Sequence, residues 1–156
     1  MQHWHSRLDC SRRHTLAVLL SFPAVALAWR AAQAQNVIKP ARGSPQRIAI
    51  LNALRPEIQA EIGGEIEFVV SELRVLGDWA YVSASPQRLG GKPIDWRATK
   101  FRKDWEDDVM SDLVLALLRR DGGNWTVVER EIGPTDVSWV EWIKTYKLPK
   151  LLFSDE

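Results

Sequence analysis

The first 34 residues have the three-part pattern of an export signal, and this limits how much of the chain is left to fold. A basic stretch ending at Arg13 precedes an apolar run of about fifteen residues from Leu16 to Trp29, and Ala32-Gln33-Ala34 supplies the small residues that a signal peptidase requires. A membrane-spanning helix needs about twenty apolar residues. We therefore expect a signal peptide over residues 1–34, cleavage between Ala34 and Gln35, and a mature chain of 122 residues with no membrane span; the alternative is an uncleaved N-terminal anchor.

The same segment leaves two export routes open. Ser11-Arg12-Arg13-His14-Thr15-Leu16 resembles a twin-arginine translocation signal, which pairs two arginines with a hydrophobic residue shortly after them. Thr15 departs from the apolar residue that such signals usually carry, so a general secretory signal is the alternative. Either route predicts a bacterial protein that is periplasmic or secreted.

The composition of the mature chain excludes several kinds of chemistry. Four of the 21 basic residues and one of the 20 acidic residues lie in the signal, so the mature chain has 17 basic and 19 acidic residues and a net charge of −2. This balance disfavours a general nucleic-acid binder, which needs an excess of positive charge. All three histidines and the only cysteine also lie in the signal. Disulfides, thiol nucleophiles, Ser-His-Asp triads and the usual zinc sites are thereby excluded, and we expect no cofactor.

The pattern after the signal predicts a lead-in and then a helix. Residues 35–43 are polar and are expected to be flexible. Ser44 followed by Pro45 is typical of a helix start, with a capping side chain and a proline at the first position. An apolar face then follows at steps of three and four residues, and Pro56 within it predicts a kink or a restart. The face comprises Ile48, Leu51, Leu54, Ile58 and Ile62.

The middle of the chain changes to the alternating period of β-strands. Ile66, Phe68 and Val70 alternate, and then the parity shifts, which predicts a strand with a bulge near Ser71. A second strand over 79–84 follows a turn at Gly77-Asp78. A second hairpin is predicted from strands over 113–119 and 125–132, joined by a turn at 121–124.

A final helix is predicted to begin with a cap at Thr135 or Asp136 and to extend to about Tyr146. The fold class is therefore α+β over residues 44–153. An N-terminal kinked helix packs on a roughly four-stranded, mostly antiparallel sheet, and a C-terminal helix follows.

Two segments carry a resemblance to known folds. "LGDWAYVSA" and "LLRRDGGNWTVVE" resemble paired strands of cystatin-like and NTF2-like domains, and the chain is also similar to small exported proteobacterial proteins of unknown function. The resemblance covers about residues 45–132 and implies a curved sheet around a kinked helix. It carries over no catalytic residue: many NTF2-like enzymes use a histidine or an aspartate inside the curved sheet, and the mature chain has no histidine to match.

The candidate binding site is the long loop over 86–110, in which tryptophans alternate with charged residues. An indole face covers apolar C–H surface while neighbouring charges hydrogen-bond hydroxyl groups, so this composition suits a sugar or a peptide. The alternative is that both indoles cap the core. The candidate binding residues are Asp95, Trp96, Arg97, Arg102 and Trp105.

Three further hypotheses concern other residues. An acidic run from Asp104 to Asp112 does not match a calcium loop, because Val109 and Leu115 occupy the positions of its glycine and its bidentate acid, so no metal site is predicted. Trp139 and Trp142 in the last helix suggest a homodimer or partner surface. The leading hypothesis is a non-enzymatic module that binds a small ligand, an envelope component or a protein partner. Its rival is an NTF2-like hydrolase or isomerase with Asp95 or Glu72 as base.

Overall fold

The computed structural model describes residues 36–155. The predicted signal peptide and its cleavage site lie outside the described residues. Among these residues no helix is both long enough and apolar enough to cross a membrane.

The described chain is an α+β fold built on a four-stranded antiparallel sheet. The helices are α1 (Pro45–Ile62), α2 (Arg102–Glu106) and α3 (Trp139–Tyr146), and single 3-10 turns occupy Trp96–Ala98 and Lys150–Leu152. The strands are β1 (Glu67–Leu76), β2 (Trp79–Gln87), β3 (Val114–Asp121) and β4 (Asn124–Ile132). They lie in the order β1-β2-β3-β4, so each strand pairs with its neighbour in sequence. The predicted fold class is confirmed.

Helix α1 begins where the sequence predicts and is continuous. The Ser44 side chain accepts a hydrogen bond from the Arg47 amide at 3.3 Å, and Gly63 ends the helix. The helix does not restart at Pro56, which lies on the exposed side. The predicted apolar face is wrong at its first member: Ile48 is exposed, and Ile50 is buried in its place. The buried residues recur every four positions, so the contact row is inclined to the helix axis.

The sheet buries both of its faces because successive side chains of its strands point to opposite faces and both sets are apolar. Ala80, Val82 and Ala84 of β2 pack toward α1, whereas Tyr81 between them packs against the C-terminal segment. The C-terminal segment, which contains α3, therefore covers the second face. Helix α3 begins at Trp139 with Ser138 as its N-cap, so the predicted cap at Thr135 or Asp136 is wrong; the Asp136 carboxylate accepts from the adjacent Val137 amide instead.

Strand β1 contains the predicted bulge. Its register with β2 shifts between Val70 and Glu72, so Ser71 is the extra residue. Beyond the bulge, Val75 also pairs with Ile38 of the lead-in segment through two backbone hydrogen bonds of 2.8 Å. The last part of β1 thus has β2 on one side and the lead-in segment on the other.

Candidate functional site

The loop between β2 and β3 places the predicted binding residues in different environments. Trp96 is only 3% exposed and belongs to the core beneath α1. It stacks on Trp105, with ring centroids 6.0 Å apart, and meets Phe101 edge-on at 6.1 Å. Trp105 is partly buried against the same core. Of the two indoles, Trp105 is therefore the one with surface left for a ligand.

The charged residues of this loop have local partners. The Asp95 carboxylate accepts a hydrogen bond from the Arg97 amide at 3.2 Å and caps the short 3-10 turn. Arg97 and Arg102 both pair with Glu106, at 3.9 Å and 3.0 Å. All three partners of this pairing are well exposed, so the ion pairs contribute little to stability and leave the arginines accessible.

A cleft of about 280 Å³ lies beside Trp105. Its lining combines the two indoles with backbone and side chains from the end of β2, including Gln87, and with Asp112. The structure thus brings Trp96 and Trp105 together at one cleft, while Asp95, Arg97 and Arg102 do not line it. The proposal that this loop binds a ligand stays a prediction.

A second cleft, which the sequence did not indicate, lies on the opposite face of the sheet around Arg74. It has a volume of about 500 Å³ and is lined by β1, β2 and the C-terminal segment. We call it the Arg74 cleft; its lining residues are Ser71, Glu72, Arg74, Tyr81, Ser83, Trp139, Phe153, Ser154 and Asp155. The bulge at Ser71 helps to form it, because the parity shift turns Glu72 and Arg74 away from α1.

Arg74 is the most deeply buried charged residue of the described chain, with 2% of its surface exposed. Its Nε donates to Glu72 Oε1 at 2.6 Å, and its two terminal nitrogens contact the two oxygens of Asp155 at 2.8 and 2.7 Å. It also donates to the Leu151 carbonyl at 3.3 Å. The forked contact between Arg74 and Asp155 is the geometry in which arginine holds a carboxylate most strongly.

The network around Arg74 is balanced in charge. Lys39 of the lead-in segment lies 3.0 Å from Asp155 and 3.5 Å from Glu72, so two cations face two anions. Burial alone would lower the pKa of Arg74, but hydrogen bonds with Asp155 and Glu72 outweigh it and raise that pKa. Hydrogen bonds from Arg74 and Lys39 lower the pKa of Asp155 to about 2. The guanidinium and the carboxylate are therefore both charged over the whole physiological range.

The walls of the Arg74 cleft are aromatic rings and hydroxyl groups. Phe153 meets Tyr81 edge-on at 5.1 Å and lies parallel to Trp139 at 5.6 Å. Burial, and then the charge of Glu72, raise the pKa of Tyr81 to about 12. Ser71 donates to Ser83 at the rim, at 2.8 Å to the carbonyl and 3.0 Å to the hydroxyl. The cleft thus has an aromatic wall next to a guanidinium that holds the carboxylates of Glu72 and Asp155.

The residues of the other hypotheses also have definite places. Glu72, one candidate base of the enzymatic hypothesis, is ion-paired with Arg74, and Asp95, the other, caps a turn. Trp142 is buried in the core of its own chain, and Trp139 packs on Phe153. The partner surface suggested for these two tryptophans stays a prediction. Within residues 36–155 no group of three or more acidic, histidine or cysteine side chains is placed to hold a metal ion.

Comparison of the chain with protein-family models, with curated protein sequences and with solved structures gives no match. The resemblance to cystatin-like and NTF2-like domains therefore stays a prediction.

Proposed function

We propose that this chain is an exported, non-enzymatic binding domain, and that its Arg74 cleft receives a small ligand through an anionic group. One observation carries the proposal. A guanidinium that is almost fully buried is held by the carboxylate of Asp155, whose side chain is 69% exposed. Burying a charge is costly unless it is paired. The buried charge is thus paired with a carboxylate that solvent reaches.

The chemistry of the walls defines the ligand further. A ligand carboxylate or phosphate that displaced the Asp155 side chain would accept the same forked pair of hydrogen bonds from Arg74. Trp139 and Phe153 would cover an apolar or ring-shaped part of the ligand, and Ser71 and Ser83 would hydrogen-bond its polar atoms. The ligand class is therefore a small organic anion with an apolar portion.

Chemical rescue tests whether this position accepts an external anion. Asp155→Ala removes the carboxylate and leaves Arg74 without its forked partner, so the melting temperature should fall. Acetate or phosphate should then restore part of it, because a ligand at ten times its dissociation constant stabilises the folded state by about 1.4 kcal/mol. Chloride at the same ionic strength should not.

Asp78→Ala is the matched control. Asp78 is a similarly exposed carboxylate, 64% against 69%, and it pairs with Arg120, which is itself 41% exposed. Acetate should not rescue this variant, because water already solvates Arg120. Equal responses of the two variants, or no response from Asp155→Ala, would refute the proposal. A stronger response to phosphate than to acetate would identify the preferred anion.

The cleft beside Trp105 is the second location for the proposed binding activity. It offers a partly exposed indole with Gln87 and Asp112 but no buried charge. Ligands found by screening should be mapped with Trp105→Ala as well as with Trp139→Ala. Loss of binding in Trp105→Ala alone would move the site to the loop that the sequence indicated.

A further inference from the structure

We propose that two copies of this chain associate through the first half of β1, edge to edge, and form a continuous eight-stranded sheet. The inference is independent of the Arg74 cleft. It rests on the backbone of Phe68 and Val70, on the apolar side chains around them and on the register that a two-fold axis would impose.

Among residues 36–155, no segment pairs with the outer edge of the first half of β1. Val75 turns its backbone N–H and C=O away from β2, because it bonds to Ile38 on the other side. Phe68 and Val70 place their side chains on the same face as Val75, toward α1. Along a strand, residues whose side chains share a face also point their backbone N–H and C=O groups to the same side. The backbone groups of Phe68 and Val70 therefore point away from β2, as those of Val75 do. Consistently, Phe68 is opposite Pro86, which has no N–H to donate.

The edge is bordered by exposed apolar side chains. Ile38, Ile48 and Val69 are 54%, 48% and 52% exposed, and these are three of the eight exposed large apolar residues in the described chain. Ile48 and Val69 line a groove of about 370 Å³ between α1 and β1. The other sheet edge is different. There β4 carries Glu129, Arg130 and Glu131, a charged sequence typical of an edge protected against pairing.

A two-fold axis at Val69 gives a register that is compatible with self-pairing. Phe68 of each copy then lies opposite Val70 of the other, and both present outward N–H and C=O groups. Val69 faces its counterpart at the axis, where the side chains of a non-hydrogen-bonded pair approach most closely. Glu67 lies opposite Ser71, so no like charges are directly opposed.

The side chains at the proposed axis are alike on each face of the sheet. Phe68 and Val70 of both copies lie on the face toward α1, and Val69 of both copies lies on the opposite face, because side chains alternate along a strand. A second copy therefore supplies apolar side chains and backbone partners to this edge.

Sedimentation velocity over a concentration series tests the proposal on the purified protein. We expect a monomer–dimer equilibrium, and Val69→Lys should raise the dissociation constant at least tenfold by placing two ammonium groups at the axis. Val137→Lys is the matched control, since Val137 is equally exposed at 53% and lies outside the groove. It should leave the dissociation constant unchanged.

Amide hydrogen exchange gives a second readout that does not depend on a variant. The Phe68 and Val70 amides should gain protection as the protein concentration rises through the dissociation constant, while the Trp125 amide should not. A monomer at every concentration up to about 1 mM, or a dimer that Val69→Lys and Val137→Lys weaken equally, would overturn the proposal.

Discussion

Gly133, between β4 and the C-terminal segment, is the position where an added methyl group should do the most damage. A Cβ atom at Gly133 would lie 2.6 Å from Met110 Cε, 2.8 Å from Met110 Cβ and 3.3 Å from the Ser111 carbonyl oxygen. The residue also has a φ of +74°, in the left-handed region. Two penalties therefore apply to Gly133→Ala: backbone strain of about 1–2 kcal/mol and overpacking of about 1–3 kcal/mol.

Gly43→Ala separates these two penalties. Gly43 has nearly the same φ, +76°, but no atom lies within 4 Å of its added Cβ. It should therefore show the backbone strain alone, and the effect of alanine on the unfolded chain cancels between the two variants. We expect Gly133→Ala to lose about 1–3 kcal/mol more than Gly43→Ala in urea unfolding.

Met110→Ala tests whether the extra loss comes from this contact. Met110 is buried, so its own truncation is destabilising, but Gly133→Ala should cost less in that background because Met110 Cε, the nearest clashing atom, is gone while Cβ at 2.8 Å remains. Equal losses in Gly133→Ala and Gly43→Ala, or the same Gly133→Ala cost with and without Met110, would refute the packing argument.

Two predictions concern pH. The pKa of Tyr81 is raised to about 12 in the folded state from 10, so the folded protein holds the phenol proton more tightly. The resulting stability is present below pH 10 and is lost between pH 10 and about 12, and Tyr81→Phe should flatten this alkaline limb in circular-dichroism melts. The pKa of Asp155 is lowered to about 2 from 3.8, so its contribution is present above pH 3.8 and is lost as the pH falls toward 2. Asp155→Asn should flatten that acid limb; unchanged limbs in either variant would contradict the assigned pKa shifts.

The sequence predicted the strands well because their signals are local. The change of parity after Val70 was enough to place the bulge, and the Gly-containing turns placed both hairpins. The helix face was less accurate. A face with steps of three and four residues includes Ile48, and a face with steps of four residues includes Ile50. Only the tilt of α1 across the sheet decides which of the two is buried.

The Arg74 cleft could not be predicted, because its parts are far apart in the chain. Arg74 lies between Leu73 and Val75, where an arginine suggests an exposed position on the outer face of a strand. Its partner Asp155 is 81 residues away, and no local pattern connects the two. The one available signal was the arginine within an apolar run, since a charge in such a position is either exposed or paired.

The tryptophan loop shows the opposite difficulty. An indole next to charged residues has the same sequence pattern whether it faces solvent or caps the core. Trp96 is buried with its ring stacked on Trp105, and this follows from the way the loop folds back over the sheet beneath α1. Because Trp96 is 3% exposed, its replacement by alanine should cost about 3–5 kcal/mol, and binding data from that variant would report mainly on stability.

The bulge at Ser71 divides β1 into two halves with different proposed roles. Beyond it, Ile38 covers the edge at Val75 and Asp155 holds Arg74, so both ends of the described chain converge on this half. Before it, no described segment pairs with the outer edge, and the side chains around that edge are apolar. The two proposals can therefore be tested separately: Val69→Lys should weaken self-association and leave the acetate rescue of Asp155→Ala intact. If Val69→Lys abolished the rescue as well, the two halves of β1 would have to act as one site, and the division at the bulge would be wrong.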